Sequence, residues 1–176
     1  MIDENRKHKA QKNLKIYLED GLIKKERNEE AKKKYLENAQ LSLSLAKSLF
    51  EHELKPYIWI IVISYYSMFY IANAILLHLG YKVGEKIAHK VTIDALIVLV
   101  LGKLKNELLE HYESLKEDAS EFASIRSEEL LISYERELDK RSRFQYNMLE
   151  EMKAVKAKTS VERAAEFIFE MNKLLK

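Results

Sequence analysis

The run from Tyr57 to Leu79 constrains the fold more than any other segment, because it contains no Asp, Glu, Lys or Arg. At helical spacing both of its faces are apolar. One face carries Ile61, Tyr65, Met68, Ala72, Ile75 and Leu79, and the other carries Tyr66, Tyr70 and Leu77. A helix that is apolar all round is either buried in a protein core or inserted in a membrane.

Polar side chains in the middle of this run favour burial in a core. They are Ser64, Tyr65, Tyr66, Ser67, Tyr70 and Asn73, and the centre of a bilayer penalises such groups. The next apolar stretch, Val91 to Leu101, contains Asp94 and is too short to cross about 30 Å of hydrocarbon. The charged N-terminus does not resemble a secretory signal. We therefore expect a cytoplasmic protein without membrane association.

Composition indicates an all-α fold. The 176 residues include one Pro, four Gly and no Cys, and 33% of them are charged. Few tight turns and many Lys and Glu residues are typical of long helices, and strands find little support in the sequence. The absence of Cys excludes disulfides and thiolate metal sites and fits the cytoplasm. The expected architecture is an antiparallel up-down bundle of four to five helices.

Helix boundaries follow from capping residues and apolar periodicity. The second predicted helix ends at Gly80, the third continues through Gly102, and a turn is expected near Asp118 to Ser127. Thr159 and Glu162 have the spacing of a capping box that would begin the last helix. The five predicted helices run from Glu29 to about Glu53, from Tyr57 to Leu79, from about Ile93 to Leu115, from about Glu128 to Lys156 and from Val161 to Leu175.

The N-terminal segment differs from the rest of the chain in charge. Residues 1–34 hold 11 Lys and Arg against 7 Asp and Glu, whereas the whole chain has a net charge of +2. Such a tract is typical of a solvated helix or a frayed arm, and the alternative is a segment that binds phosphate. We predict a charged N-terminal helical arm over residues 1–28 and a helical bundle over residues 29–176.

The fourth predicted helix carries a seam with polar residues in it. Its positions alternate by three and four residues and are expected to face the core: Tyr134, Leu138, Arg141, Gln145, Met148, Met152 and Val155. The Arg141 side chain keeps its charge, so at a seam position it needs a carboxylate, a phosphate or a path to solvent. Arg141 is therefore either a ligand of an anion or a partner of a Glu on a neighbouring helix.

Three features together resemble the HEPN domain family (higher eukaryotes and prokaryotes nucleotide-binding). They are the string SYYSMFYIANAILLHLG from Ser64 to Gly80, a loop that ends at His89, and Arg141 followed by Phe144, Gln145 and Tyr146. The resemblance covers about residues 30–175. It implies an antiparallel bundle that forms a homodimer and binds nucleotide or RNA in a cleft, often as the toxin of a pair with a small nucleotidyltransferase antitoxin.

Many members of that family cleave RNA with an Arg and a His four to six residues beyond it. Here Arg141 is followed at those positions by Tyr146 and two other residues, none of which is His. A phenol with a pKa near 10 is a poor general base at neutral pH. The other branch of the family fits better at Arg141 and Tyr146, although Gln145 stands where Asp is expected. The resemblance thus implies a member that lacks the usual ribonuclease motif.

Three functions stay open on this basis. The first is a binding module that holds nucleotide or RNA with Arg141, His89, Tyr146 and Gln145. The second is an unconventional metal-independent endoribonuclease with Arg141, His89 and Tyr146 as catalytic candidates. The third is a ligand-free protein-interaction bundle, in which Tyr146 is a packed aromatic and His89 is a solvated loop residue. The remaining His residues show no metal-ligand spacing, so we expect no metal and no cofactor.

Overall fold

A long apolar helix forms the centre of the structure. The computed structural model describes residues 2–135 and 143–175, with side chains for residues 2–121 and 151–175. Within these ranges the chain is mainly helical, and the predicted all-α bundle is confirmed. The elements in chain order are α1 (Glu4–Glu19), β1 (Ile23–Lys25), α2 (Glu29–Glu51), α3 (Tyr57–His78), β2 (Tyr81–Val83), α4 (Ala88–Leu99), a 3-10 turn (Leu101–Lys103), α5 (Asn106–Glu135) and α6 (Arg143–Lys173).

Helix α3 is this central helix, as its composition predicts. Helices α2, α5 and α6 pack against it, and Met68, Ala72 and Ile75 are almost fully buried. Two of its buried polar side chains are satisfied locally: the Asn73 amide donates to the carbonyl of Phe69 at 2.9 Å, and the Ser67 hydroxyl donates to the carbonyl of Ser64 at 2.7 Å. Among the described residues α3 is the one helix long and apolar enough to cross a membrane, and 78% of its most apolar stretch is buried inside the bundle.

A two-stranded antiparallel sheet was not expected from the sequence. Strand β1 pairs with β2, with Ile23 opposite Val83 and Lys25 opposite Tyr81. The chain reaches both strands through glycines with positive φ, Gly21 at +68° and Gly80 at +86°, a conformation that favours glycine. Each strand has three residues, which is too short for apolar alternation to be recognised in a sequence.

The N-terminal segment contributes to the same core as the bundle. Helix α1 packs against α4, and Ala10, Leu14 and Tyr17 on its inner face belong to the main apolar cluster together with Ile23 of β1. Most charged side chains of α1 are exposed, whereas Arg6 pairs with the buried Asp94 of α4. The division into an arm and a bundle at residue 28 stays a prediction.

Three predicted helix boundaries are wrong. The third predicted helix is interrupted after Leu99 by the 3-10 turn and by Leu104 in an extended conformation, so α4 and α5 are separate helices. No turn occurs over residues 118–127, because α5 continues to Glu135. Helix α6 continues through Thr159, so no capping box forms there. Packing along the bundle outweighs local capping signals.

The predicted seam on α6 is also wrong where its side chains are described. Met152 and Val155 are 57% and 67% exposed. The buried face consists of Lys153, Ala157, Ser160, Ala164, Phe167, Ile168 and Met171. Small residues at three of these positions allow α6 to pack closely against its neighbours. The other predicted seam residues, Tyr134, Leu138, Arg141, Gln145 and Met148, lie outside the residues with described side chains.

Candidate functional site

The structure describes one of the four predicted site residues in full. His89 lies in the first turn of α4. Arg141 lies outside the described residues. Gln145 and Tyr146 belong to the first turn of α6, and their side chains lie outside the described part of the chain. His89 is therefore the centre of the candidate site, and the roles of Arg141, Gln145 and Tyr146 stay predictions.

His89 lines a cavity of about 240 Å³ between three helices. Successive turns on one face of α3 supply its aromatic wall, and residues spaced by three and four on α5 supply the opposite wall. This spacing brings an imidazole, an ammonium group, a hydroxyl group and two phenol rings around one opening. The lining residues are Val62, Tyr65, Tyr66, His89, Lys116, Ala119 and Ser120.

Three aromatic rings of α3 surround the imidazole of His89. The centroid of the Phe69 ring lies 4.4 Å from that of His89, and those of Tyr65 and Tyr66 lie at 5.5 Å and 5.9 Å. The Tyr66 ring meets the imidazole edge-on, an arrangement that aromatic pairs favour. Tyr66 is still 39% exposed, so part of this ring remains available to a ligand.

A hydrogen bond of 2.6 Å joins the Tyr65 hydroxyl to Nδ1 of His89. The direction of this bond depends on the tautomer of the imidazole. A neutral imidazole that accepts from the Tyr65 hydroxyl at Nδ1 carries its hydrogen on Nε2, and in the other tautomer Nδ1–H donates to Tyr65 and Nε2 has a free lone pair. In either tautomer Tyr65 occupies Nδ1 and leaves Nε2 as the ring nitrogen that a ligand can meet.

Burial and a nearby cation keep His89 neutral. Burial lowers the pKa of His89, and the ammonium group of Lys116 lowers that pKa further. Burial also raises the pKa of Tyr65, so its hydroxyl keeps its proton and remains a donor. At neutral pH the cavity thus holds one full positive charge, on Lys116, beside a neutral imidazole.

The backbone at the start of α4 adds to the positive potential. Ile87 precedes this helix with φ at +46°, and no side chain caps the helix N-terminus. A positive φ is rare for a β-branched residue and is found at sites where the surroundings enforce it. Uncapped N–H groups at a helix N-terminus attract anions, and His89 lies in this first turn.

Two lining residues were missed by the sequence analysis. Lys116 and Ser120 fall in α5, where the expected turn near Asp118 concealed their common face. Tyr66 was interpreted as a core residue, yet it is partly exposed at the cavity. The spacing of Lys116, Ala119 and Ser120 by three and four residues is the signal that would have placed them together.

A second polar cluster lies on the other side of α4. Asp94 is 2% exposed and accepts hydrogen bonds from Arg6 at 2.6 Å, Asn13 at 2.8 Å and Tyr17 at 3.0 Å. Arg6 also donates to Glu113. Burial and the Asp94 carboxylate raise the pKa of Tyr17 to about 12. Because its donors and acceptors are paired, this cluster holds α1 against α4 and does not form a ligand site.

The chemistry available at the His89 cavity is anion binding and aromatic stacking. Among the described residues no group of three or more His, Cys, Asp or Glu could hold a metal ion. Comparisons of the chain with protein-family models, with curated proteins and with solved structures find no match.

Proposed function

We propose that this protein is a HEPN-like nucleotide- or RNA-binding helical bundle, and that the cavity around His89 is its ligand site. The observation that carries the proposal is the Tyr65–His89 hydrogen bond beside Lys116 in an aromatic cavity. With Tyr65 as the donor to Nδ1, this bond leaves an Nε2–H donor for a ligand. A phosphate with an attached base or ribose is the ligand that this combination suits.

The phosphate is bound by charge and by hydrogen bonds. Lys116 supplies the cation, His89 supplies a neutral N–H donor, and the uncapped start of α4 supplies backbone N–H groups. These three kinds of donor recur at phosphate sites. Arg141 stays a predicted additional phosphate ligand, with Tyr146 and Gln145 as predicted neighbours.

The base is bound by stacking. Tyr66 is partly exposed beside Val62 at the mouth of the cavity, and stacking on an aromatic ring contributes about 1–3 kcal/mol per base. A cavity of about 240 Å³ is smaller than sites that enclose whole drug-sized ligands. It therefore suits part of a nucleotide, with the rest of the ligand lying on the surface.

The tautomer of His89 distinguishes binding from cleavage. A general base at Nε2 needs a free lone pair, whereas the ring carries hydrogen there when the Tyr65 hydroxyl donates to Nδ1. The endoribonuclease alternative requires the reverse tautomer, with Nδ1–H donating to Tyr65. The low pKa of His89 supports this second candidate, since a general base must be unprotonated at the working pH.

The dimer belongs to the same proposal. Met152 and Val155 are largely exposed on α6, and they lie about one and a half to two and a half turns beyond Tyr146 on that helix. They are three residues apart and therefore adjacent on the helix surface, and contiguous exposed apolar side chains mark interaction surfaces. We expect Met152→Glu with Val155→Glu to convert a dimer into a monomer in sedimentation analysis. Leu54→Glu, at an exposed residue of the loop between α2 and α3, is the control and leaves the dimer intact.

The toxin and antitoxin role rests on the family resemblance. The partner proposed on this basis is a small nucleotidyltransferase. Expression of this chain alone would slow growth, and coexpression of a nucleotidyltransferase encoded beside it would restore growth. Unimpaired growth in both conditions would contradict this part of the proposal without affecting RNA binding.

Binding and cleavage of RNA are measured together to test the central proposal. A labelled mixed RNA pool is incubated with the protein at several salt concentrations, and retention and fragment length are recorded. We expect salt-sensitive retention that Lys116→Ala weakens about tenfold. Lys158→Ala, at an exposed lysine of α6 away from the cavity, is the matched control and changes retention less than about twofold.

Two variants of His89 separate the three functions. The amide of Gln can replace the Nε2–H donor but not the acid–base chemistry of imidazole. For a binding module, His89→Gln retains RNA while His89→Ala weakens retention. For a ribonuclease, both variants and Arg141→Ala abolish cleavage. If neither Lys116→Ala nor His89→Ala changes the retention or the cleavage of RNA, the ligand-free interaction bundle is favoured.

A further inference from the structure

A half-open groove of about 370 Å³ lies between α1 and the C-terminal half of α4, away from His89. Its floor is aliphatic and includes Leu14, Leu18 and Val98, and its rim on α1 is polar. His8, Lys12 and Lys15 form this rim at positions i, i+4 and i+7, so they follow one face of the helix. We name this feature the α1 groove.

The rim of the α1 groove carries unbalanced positive charge. Between Glu4 and Glu19 the helix contains Arg6, Lys7, Lys9, Lys12 and Lys15 and no acidic residue. Arg6 is paired with Asp94 and Glu113, and Lys7 is paired with Glu4. Within the described part of the chain no ion pair joins Lys12 or Lys15 to a carboxylate. These two cations are exposed and available to a partner.

We propose that the α1 groove docks an acidic amphipathic helix of a partner protein. Carboxylates one and two turns apart on such a helix would face Lys12, Lys15 and His8, which span about 10 Å along α1. Its aliphatic side chains would cover the floor at Leu18 and Val98. This is helix-in-groove recognition, in which charge sets orientation and apolar anchors supply affinity.

The aliphatic floor of the α1 groove favours an acidic amphipathic helix over other anionic ligands. Single-stranded nucleic acid is held by cations together with aromatic stacking, and the residues lining the α1 groove include no Phe, Tyr or Trp. A fatty acid would need an enclosed apolar cavity, whereas this groove is half open to solvent. An amphipathic helix uses both the aliphatic floor and the basic rim. The inference is independent of the proposed function at His89.

Synthetic peptides test the groove with the full-length chain. The probe is a peptide of about 18 residues, five helical turns, made of Glu, Leu and Ala with Leu on one face and Glu on its flanks. A scrambled peptide of the same composition is the first control. We expect the amphipathic peptide to bind about tenfold more tightly than the scrambled one at about 150 mM salt.

Paired charge reversals locate the binding. Lys12→Glu with Lys15→Glu is expected to weaken binding of the amphipathic peptide about tenfold. Lys24→Glu with Lys25→Glu, at exposed lysines of β1, changes the net charge equally and is expected to leave binding within about twofold. Methyl NMR signals of Leu14, Leu18 and Val98 should shift on binding, and circular dichroism confirms that each variant is folded.

Four results with the peptides would overturn the inference. They are equal binding of the two peptides, equal weakening by both charge reversals, methyl shifts confined to the His89 cavity, and no binding of the amphipathic peptide at millimolar concentration. Labelled RNA is measured in parallel with the same variants. If Lys12→Glu with Lys15→Glu weakens RNA retention and leaves peptide binding unchanged, the rim binds phosphate and the inference is wrong.

Discussion

At the scale of single residues, the environment of His89 decides its protonation. Burial and Lys116 both lower its pKa, so NMR titration of the imidazole should give a value below the ordinary 6.5 or so. Lys116→Gln removes the neighbouring cation and is expected to raise this pKa toward its ordinary value. Lys158→Gln, at an exposed lysine on α6, should leave the pKa unchanged.

The lowered pKa of His89 also affects stability. Between the folded-state pKa and the unfolded value near 6.5, the unfolded chain binds more protons than the folded chain. The neutral, buried His89 therefore contributes fully to the free energy of unfolding above about pH 6.5. This contribution decreases as the pH falls from about 6.5 through the folded-state pKa. His89→Gln should flatten this part of the stability profile, and an unaltered profile would show that His89 is protonated equally in both states.

Some residues of the candidate site could be predicted from the sequence, and others could not. His89 was indicated by family resemblance, and the structure places it in a cavity. Lys116 could not be assigned, because its role depends on which face of α5 meets α3 and α4, and this is set by packing. Tyr66 was interpreted as core because a uniformly apolar helix gives no sign of which side remains partly exposed.

Asp94 offers the sharpest stability test among single residues. Its buried carboxylate accepts three hydrogen bonds from α1, so Asp94→Asn removes the charge that Arg6 faces and mismatches the donors. We expect the free energy of unfolding in urea to fall by about 3 kcal/mol. Glu113→Gln is the matched control, and because Glu113 is 29% exposed it should lower stability by about 1 kcal/mol or less. Equal effects of the two changes would mean that burial of Asp94 does not matter.

At the scale of helices and strands, the sequence predicted the central helix of the bundle correctly and several helix boundaries wrongly. The composition of α3 fixes its burial on all sides, and Pro56 and Gly80 mark its ends. The break between α4 and α5 was missed because the apolar periodicity continues across Gly102. The α6 seam was misplaced because alanines and a serine, rather than the larger Met152 and Val155, face the neighbouring helices.

One observed helix cap, Asn28, and one predicted cap, Thr159, test where the helices begin. Asn28 caps α2 by accepting a hydrogen bond from the backbone N–H of Ala31 at 2.8 Å, so Asn28→Ala should lower the free energy of unfolding by about 1 kcal/mol. Thr159 lies inside α6, where Ala is the better helix former, so Thr159→Ala should be neutral or stabilising by a few tenths of a kcal/mol. A loss of about 1 kcal/mol on Thr159→Ala would instead support a helix that begins there.

At the scale of the whole molecule, the N-terminal segment is expected to be inseparable from the bundle. Leu14, Tyr17 and Ile23 are buried in the common core, and each contributes about 1.5–3 kcal/mol. Their sum is comparable with the total stability of a domain, about 5–15 kcal/mol. A chain of residues 29–176 should therefore lose cooperative thermal unfolding, which calorimetry would detect.

A protease site inserted next to residue 28 keeps both segments in the sample after cleavage, and it therefore separates loss of the covalent link from loss of the N-terminal segment. After cleavage we expect the N-terminal fragment to stay bound during size-exclusion chromatography, since Asp94 and β2 both hold it. Spontaneous release, with an unchanged melting temperature of the remainder, would establish residues 1–28 as an independent arm. Because Asp94 and His89 lie five residues apart on α4, loss of the N-terminal segment should also loosen the Tyr65–His89 contact and weaken RNA retention, which links the integrity of the whole fold to the proposed site.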